Sequence, residues 1–482
     1  MLDMVYYPYM NIAFFGERRV LTMSNKPDRV TFQKRLDEMV STLRRDILTS
    51  VRPPGDYLPS ELALAEQYML SKKSVRKGLE LLVEEGLITK EPRVGNRINA
   101  PAVVPGVSLK LGCYPSLDDE LDLKGLLEQF HAQYPHISVD TITLPYTHYP
   151  EVIQGYLDNG WLDVLSLNTW NFREMLEHGE LDRFLPLEPD PEAYSFLRDY
   201  LTHDGRLYAR PLTFSPVVLC YNKTLFRKWG MPEPDSSWSW KQLAETAIRI
   251  QREHRLFGFY AHIASTNRFP IVFLQKNFRF KQEQGGYRYD DPKLWDSLGM
   301  FRDIIYGQGL SASFLSESDG DAEKLFLQQK TAMVMTTYYG LKMLKQADFE
   351  YDLAPLPYEH SAKTLLLVTA LAVNRQSKQK EAARLLVDFL SSAGAQLHIR
   401  KETLSIPARK SSAEWDGPDT MYRPSRFNLY REIVPTFSSY AELGITMDEL
   451  HRLRNELKLF WANMEQASDA AARLGNRFEV KS

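Results

Sequence analysis

Cysteine is scarce in this 482-residue chain, with only Cys113 and Cys220. Two thiols build neither a disulfide framework nor a four-cysteine zinc site. Long apolar runs are missing too. The longest, Thr364 to Val373, is about half a membrane span, so no transmembrane helix and no membrane partner is expected. Charge of one sign does not dominate. Lys and Arg number 59 against 62 Asp and Glu, a net of -3, which excludes a polybasic whole-chain binder but leaves room for a local basic face. No Gly-x-x-x-x-Gly-Lys-Ser/Thr, Gly-x-Ser-x-Gly or His-Glu-x-x-His occurs. His131 and His136 have Pro135 between them, a poor ligand geometry on a helix. The acidic stretches Asp118-Asp119-Glu120 and Asp319-Gly-Asp321 lack the regular ligand spacing of a calcium loop. No metal, cofactor or catalytic residue is expected, and the chain reads as a non-enzyme.

What is present is an ordinary globular composition, 44% hydrophobic and 25% charged. The length calls for two or three compact units. At the N-terminus Met1 to Phe15 is fairly apolar, but Arg18 and Arg19 follow the apolar stretch instead of preceding it. An export signal has the opposite order and a small-residue cleavage site. A cytoplasmic protein is expected, with residues 1–27 a disordered lead and Met23 a second candidate start.

Residues 28–100 read as one unit. Phe32, Leu36, Met39, Val40, Leu43 and Ile47 recur at helical spacing. Ser60 and Ser71 are placed to cap two further helices, the second carrying Val75, Leu79, Leu82 and Val83. Leu87 to Lys90 and Arg97 to Asn99 read as short strands around Gly95. This is the plan of a winged helix-turn-helix. Lys72, Lys73, Arg76 and Lys77 crowd the start of its second helix, where side chains reach base edges and phosphates. Arg76 suits the bidentate contact to guanine. Arg93 and Arg97 flank Gly95 on the wing. From Asp28 to Asn99 there are 13 Lys and Arg against 11 Asp and Glu, a net of +2, so the positive charge is local.

Gly55-Asp-Tyr-Leu-Pro-Ser-Glu-Leu-Ala-Leu-Ala-Glu-Gln67, Ser71-Lys-Lys-Ser-Val-Arg76 and Leu81-Leu-Val-Glu-Glu-Gly-Leu-Ile88 resemble the winged helix-turn-helix of GntR-type transcription regulators. The resemblance implies dimers on palindromic operators in double-stranded DNA. It places Ser60, Glu61, Ser71, Lys72, Ser74 and Arg76 on DNA-reading positions. Lys73, Lys77, Arg93, Gly95 and Arg97 complete the expected DNA-binding set. Leu62 stands where that family usually has a basic residue, and Arg93-Val-Gly-Asn-Arg-Ile98 replaces its usual wing.

Ala100 to Gly106 reads as a short Pro-containing linker, drawn at 101–107. Beyond it, strand and helix signals alternate as in an α/β fold. Val217 to Tyr221 reads as a buried parallel strand. Trp161 to Trp170, Asp204 to Pro211, Leu219 to Phe226, Lys330 to Met335, Tyr351 to Pro357, Leu371 to Asn374 and Leu404 to Arg409 together resemble the maltose-binding-like extracellular solute-binding proteins (family 1) of ABC importers. The resemblance implies a type II, two-lobed periplasmic-binding-protein-like domain over 108–482 with ligand in the cleft. Lobe 1 is expected at about 108–212 and 364–392, lobe 2 at about 213–363 and 393–482. A saccharide offers ring faces to aromatics and a rim of hydroxyls to polar groups. Tyr114, Ser116, Asn168, Trp170, Asn171, Phe214, Ser215, Arg268, Phe269 and Tyr339 are the expected ligand-binding set, for a mono- or oligosaccharide.

The expectation is a ligand-responsive, homodimeric transcription regulator. Two alternatives stay open: a regulator whose solute-binding-like domain is a dimerisation scaffold without ligand, and a carbohydrate-active enzyme with paired carboxylates in the cleft.

Overall fold

The computed structural model describes residues 29–48, 51–99, 106–146, 148–283, 286–308, 316–419 and 421–479. The chain divides between Val104 and Pro105 into two compact units. The expected lead and most of the expected linker lie outside the described residues.

In the first unit, α1 (Arg29–Leu48) buries Leu36, Met39, Val40, Leu43 and Ile47. The hydroxyl of Ser60 accepts Ala63 N–H at the start of α2 (Glu61–Gln67), and that of Ser71 accepts Ser74 N–H at the start of α3 (Lys72–Glu84). These bonds satisfy donors that a helix start leaves unpaired. Helices α1 and α3 approach closely at Gly78. A Cβ there would lie 2.5 Å from Met39 Cε and 2.9 Å from Val40 Cγ2. Strands β1 (Ile88–Glu91) and β2 (Gly95–Ile98) pair antiparallel. Arg93 at φ 66° and Gly95 at φ 151° turn the chain between them. The order is helix, helix–turn–helix and two-stranded wing.

In the second unit, β3 (Val107–Cys113) lies parallel between β4 (Ile137–Thr143) and β5 (Val164–Asn168). Four helices alternate with them: α4 (Leu117–Leu121), α5 (Leu123–Gln133), α6 (Tyr149–Asp158) and α7 (Thr169–Glu177). Strands β6 (Thr202–His203) and β7 (Arg206–Leu207) make a small hairpin. Then come β8 (Arg210–Asn222), buried throughout, and β9 (Phe257–Tyr260). A second hairpin joins β10 (Gln282–Glu283) to β11 (Gly286–Tyr287). The last strands are β12 (Thr331–Thr337), β13 (Tyr351–Ala354), β14 (Thr364–Val373), β15 (Ile406–Pro407) and β16 (Phe437–Ser438). The main sheet runs β4-β3-β5-β14-β8-β12-β9, with β13 and β15 on β8 and β16 on β14.

Two strands serve both lobes. β14 pairs with β5 from Thr369 to Val373 and with β8 from Leu366 to Leu371. β8 continues to pair with β12 from Val217 to Tyr221. The first lobe is built on β4, β3 and β5, the second on β12, β9 and β13. Two expectations change. Val217 to Tyr221 is buried but antiparallel to β12 and β13, because the chain returns to it by crossing between lobes. The helix Ala393–Glu402, expected in the second lobe, buries Ala395 and Ile399 with Leu386, Val387 and Leu390 in the first-lobe core. Ser392 caps it directly after the preceding helix, so the chain folds back onto the same layer. The helix Met447–Glu456 buries Met447, Leu450 and Leu453 in the second-lobe core. Among the described residues no helix is long and apolar enough to cross a membrane.

Candidate functional site

The first unit presents a basic face. The buried side of α3 is Ser74, Val75, Gly78, Leu79 and Leu82, which turns Lys72, Lys73, Arg76 and Lys77 outward, all exposed. Arg76 Nε donates to Glu61 Oε2 at 2.7 Å. Arg93 stands exposed at the tip of the wing. Arg97 lies 3.7 Å from Glu91, and Glu91 also accepts the Tyr57 hydroxyl at 2.6 Å. Tyr57 was not in the expected set. Its ring is exposed beside the wing, and its backbone bridges to Arg97.

Three serines of the expected DNA set act on geometry. Ser60 and Ser71 are caps, and Ser74 is buried with its hydroxyl 2.6 Å from that of Ser71. Their side chains shape the helix starts. Gly95 likewise supplies a backbone turn.

In the second unit, ligands are expected outside the carboxyl ends of the strands. Five segments leave such ends: 114–118, 144–146 with 148–149, and 168–171 from the first lobe, 261–269 and 338–340 from the second. Tyr114 and Asn171 hold the first-lobe segments together. Tyr114 Oη donates to Asn171 Oδ1 at 2.6 Å and accepts Asn168 N–H at 3.1 Å. Asn168 caps α7 by accepting Asn171 N–H at 2.8 Å. The Tyr114 ring stacks on Tyr146 at 4.8 Å, and Tyr146 remains exposed as a candidate stacking face.

A hydroxyl network continues toward the hinge. Tyr146 donates to Ser116, and Ser116 donates to Glu120 Oε1 at 2.5 Å. Thr369 Oγ1 donates to Glu120 Oε2 at 3.1 Å. Burial lifts the Glu120 carboxyl above its usual pKa, against the pull of these hydroxyls. Tyr339 lies half-buried with its hydroxyl 3.2 Å from Thr213 Oγ1. Lys342 reaches from the second lobe to Asp119 at 2.9 Å. Glu323 sits beneath the 338–340 turn and accepts from Thr336 at 2.5 Å. A Cβ on Gly340 would lie 1.9 Å from Glu323 Oε1, so a larger residue there would displace the Glu323 carboxyl. Burial raises the Glu323 carboxyl to about 7.

A seam joins the lobes beside this network. Trp170 is half-buried, its ring edge-on to Tyr440 at 5.2 Å. Glu177 Oε2 accepts Met447 N–H at 2.8 Å, and His178 Nε2 lies 2.8 Å from Asp448 Oδ2.

Tyr114, Asn171, Phe214, Ser215, Arg268 and Phe269 are placed differently from expectation, Tyr114 and Asn171 being buried against each other beneath the first-lobe loops. Phe214 is in the core against Tyr194, Phe196 and Tyr430. Phe269 packs on Phe273 and Trp461. Ser215 is buried and accepts Tyr338 N–H at 2.7 Å. In each case the strand or helix turns the side chain into a core instead of the cleft. Arg268 is 1% exposed, 3.4 Å from Asp319, with Nε donating to Met335 O; it braces the second-lobe loop. Thr213, Thr369, Lys342 and Glu323 were missed and Glu120 was read only as part of an acidic stretch; Thr369 meets Glu120 and Lys342 meets Asp119 across 249 and 223 residues, separations that no local pattern reports. Among the described residues no His, Cys, Asp and Glu cluster could hold a metal ion.

The family model described as "Bacterial extracellular solute-binding protein" matches residues 114–397. The chain belongs to that family. The model for bacterial regulatory proteins of the gntR family matches residues 37–98, so the first unit is a GntR-family domain, which implies a DNA-binding transcription regulator. Neither family is enzymatic. The sn-glycerol-3-phosphate-binding periplasmic protein UgpB of Escherichia coli (strain K12) is 22% identical over 299 residues, 57% of this chain and 67% of that protein. Maltose-bound MalE3 of T. maritima is 20% identical with a TM-score of 0.64, covering 78% of this chain and 99% of that one. The GacH receptor of Streptomyces glaucescens is 17% identical with a TM-score of 0.65, covering 77% and 98%. These likenesses show the fold of the solute-binding domain.

Proposed function

We propose that the chain is a ligand-responsive transcription regulator of the cytoplasm. Its GntR-family head binds an operator as a homodimer, and its cleft senses a carbohydrate or similar small solute. One observation carries the reading. A capped helix with an outward basic face and a cleft lined by hydroxyls, amides and a buried carboxylate belong to one chain. The named relatives are described with maltose, acarbose or sn-glycerol 3-phosphate; the class carried over is a polyhydroxylated solute. The solute shifts DNA binding only by its differential affinity for the two lobe arrangements. Half-sites lie one or more helical turns apart, so a small change in head spacing alters affinity.

The seam favours a second reading. The lobes hold each other through Trp170, Glu177 and His178, as a ligand-free dimerisation scaffold would. A gel shift on DNA flanking the gene, at two salt concentrations and with pooled polyols and oligosaccharides, separates the two. Salt-sensitive binding changed by one pool supports sensing. Binding indifferent to every pool supports the scaffold.

A further inference from the structure

Charge in the cleft is unevenly placed. Strands β14 and β8 lie in the middle of the sheet, and β4 and β9 lie at its edges. Groups beside β14 and β8 therefore line the floor, and groups following β4 and β9 line the mouth. The floor carries Glu120, bonded to Thr369 of β14, with exposed Asp119 and its partner Lys342 alongside. The mouth carries basic side chains, one guanidinium and two imidazoles. His148 ends the segment after β4, and its ring centroid is 6.5 Å from that of His451 on the other lobe. One turn further along the same helix, Arg454 Nε donates at 2.8 Å to Ala264 O, in the segment after β9.

That bond engages Nε, and among the described residues the Nη pair has no hydrogen-bond partner. The neighbouring carboxylates make their bonds to other groups, although Asp319 Oδ1 stays unpaired. Asp448 is on His178, Asp319 is on Arg268 and Ser265, and Glu449 is on Tyr289 and Arg452. Burial, then the charges of Arg454 and His148, hold His451 below its usual pKa, a field that an anion would relieve. A fixed guanidinium fork with two imidazoles is a donor set for a phosphate or carboxylate.

We infer that the sensed solute is anionic, its phosphate or carboxylate docking at the mouth on Arg454, His451 and His148 while its hydroxyls reach the floor. This rests on the cleft being the solute site proposed above. The polyol end meets acceptors and the charged end meets donors, so neutral oligosaccharides leave the mouth unsatisfied.

Calorimetric titration of the full chain tests it, with glucose against glucose 6-phosphate, glycerol against glycerol phosphate, and glucuronate and inorganic phosphate alone. At least one anionic probe is expected to bind about tenfold or more tighter than its neutral parent. Phosphate esters against glucuronate decide which anion is meant. Arg454→Gln should erase the preference, and His148→Asn, exposed on the other lobe, should reduce it about threefold. Arg249→Gln, a distant exposed arginine, should leave it intact, and thermal melts check that each variant folds. Neutral sugars binding as well as anionic ones, or Arg454→Gln keeping the preference, would overturn the inference while sensing stands. Silence from neutral and anionic probes alike would overturn both.

Discussion

Arg76 is tied to Glu61, Nε to Oε2 at 2.7 Å, so the first residue of α2 orients the side chain on α3 that is best placed to read guanine. Arg76→Ala is expected to cost about 1–3 kcal/mol of operator affinity and to relax discrimination at one base position. Glu61→Gln should weaken the same position less, since the guanidinium keeps its charge and loses its orientation. Lys72→Ala should weaken all sequences alike and lower the salt slope by about one. Anisotropy titrations on matched and single-mismatch duplexes distinguish the three.

Gly78 holds α1 against α3. Gly78→Val is expected to destabilise the head by about 1–3 kcal/mol, because Met39 and Val40 stand where the new carbon would go. Calorimetry of the full chain should show the head's transition falling with the solute-binding domain's unchanged, and operator binding should be lost.

Closure of the lobes should be pH-dependent. The bond to Asp448 raises His178 above its usual 6.5, opposed by burial, with Glu174 and Glu180 adding to the rise. Its contribution is full below 6.5 and lost as pH rises through the raised value. Burial, Arg454, His148 and Lys458 lower His451, with Asp448 opposing; its contribution is full above 6.5 and lost as pH falls. The closed population should therefore peak near about 6.5. Asp448→Asn should flatten most of the alkaline limb and, by releasing His451 from its opposing pull, move the acid limb to lower pH, as read by small-angle scattering across the range.

Glu323 gives a second pH signature. A carboxyl raised from 4.5 to about 7 contributes stability that is present below 4.5 and lost as pH rises through about 7. Glu323→Gln, which needs no ionisation, should raise Tm at about pH 8 and give no gain at about pH 4.

The head was readable from sequence because its determinants are local. The α1 stripe, the caps at Ser60 and Ser71, and the basic cluster on α3 each lie within a few residues of what they act on. The cleft was readable only to its loops. Tyr114, Ser116, Asn168 and Trp170 lie on segments that face it, but nothing in a loop position says which way a ring turns, and Tyr114, Phe214 and Phe269 went inward. The contacts that finish the site span the chain. Glu120 meets Thr369 at a separation of 249 residues, and His178 meets Asp448 at 270. Such pairings come from the strand order, which no local periodicity encodes.

The lobes share one unbroken sheet. β8 and β14 carry ladder bonds on both sides of the hinge, and a register shift between Thr369 and Ala370 marks where the pairing bends. Pulling the lobes straight apart would strip backbone hydrogen bonds, whereas rotating them about the point between Pro216 and Val217, where β8 changes partners, keeps each ladder whole. The motion that keeps the ladders whole is a rotation, so whatever a captured solute reports, it reports as an angle.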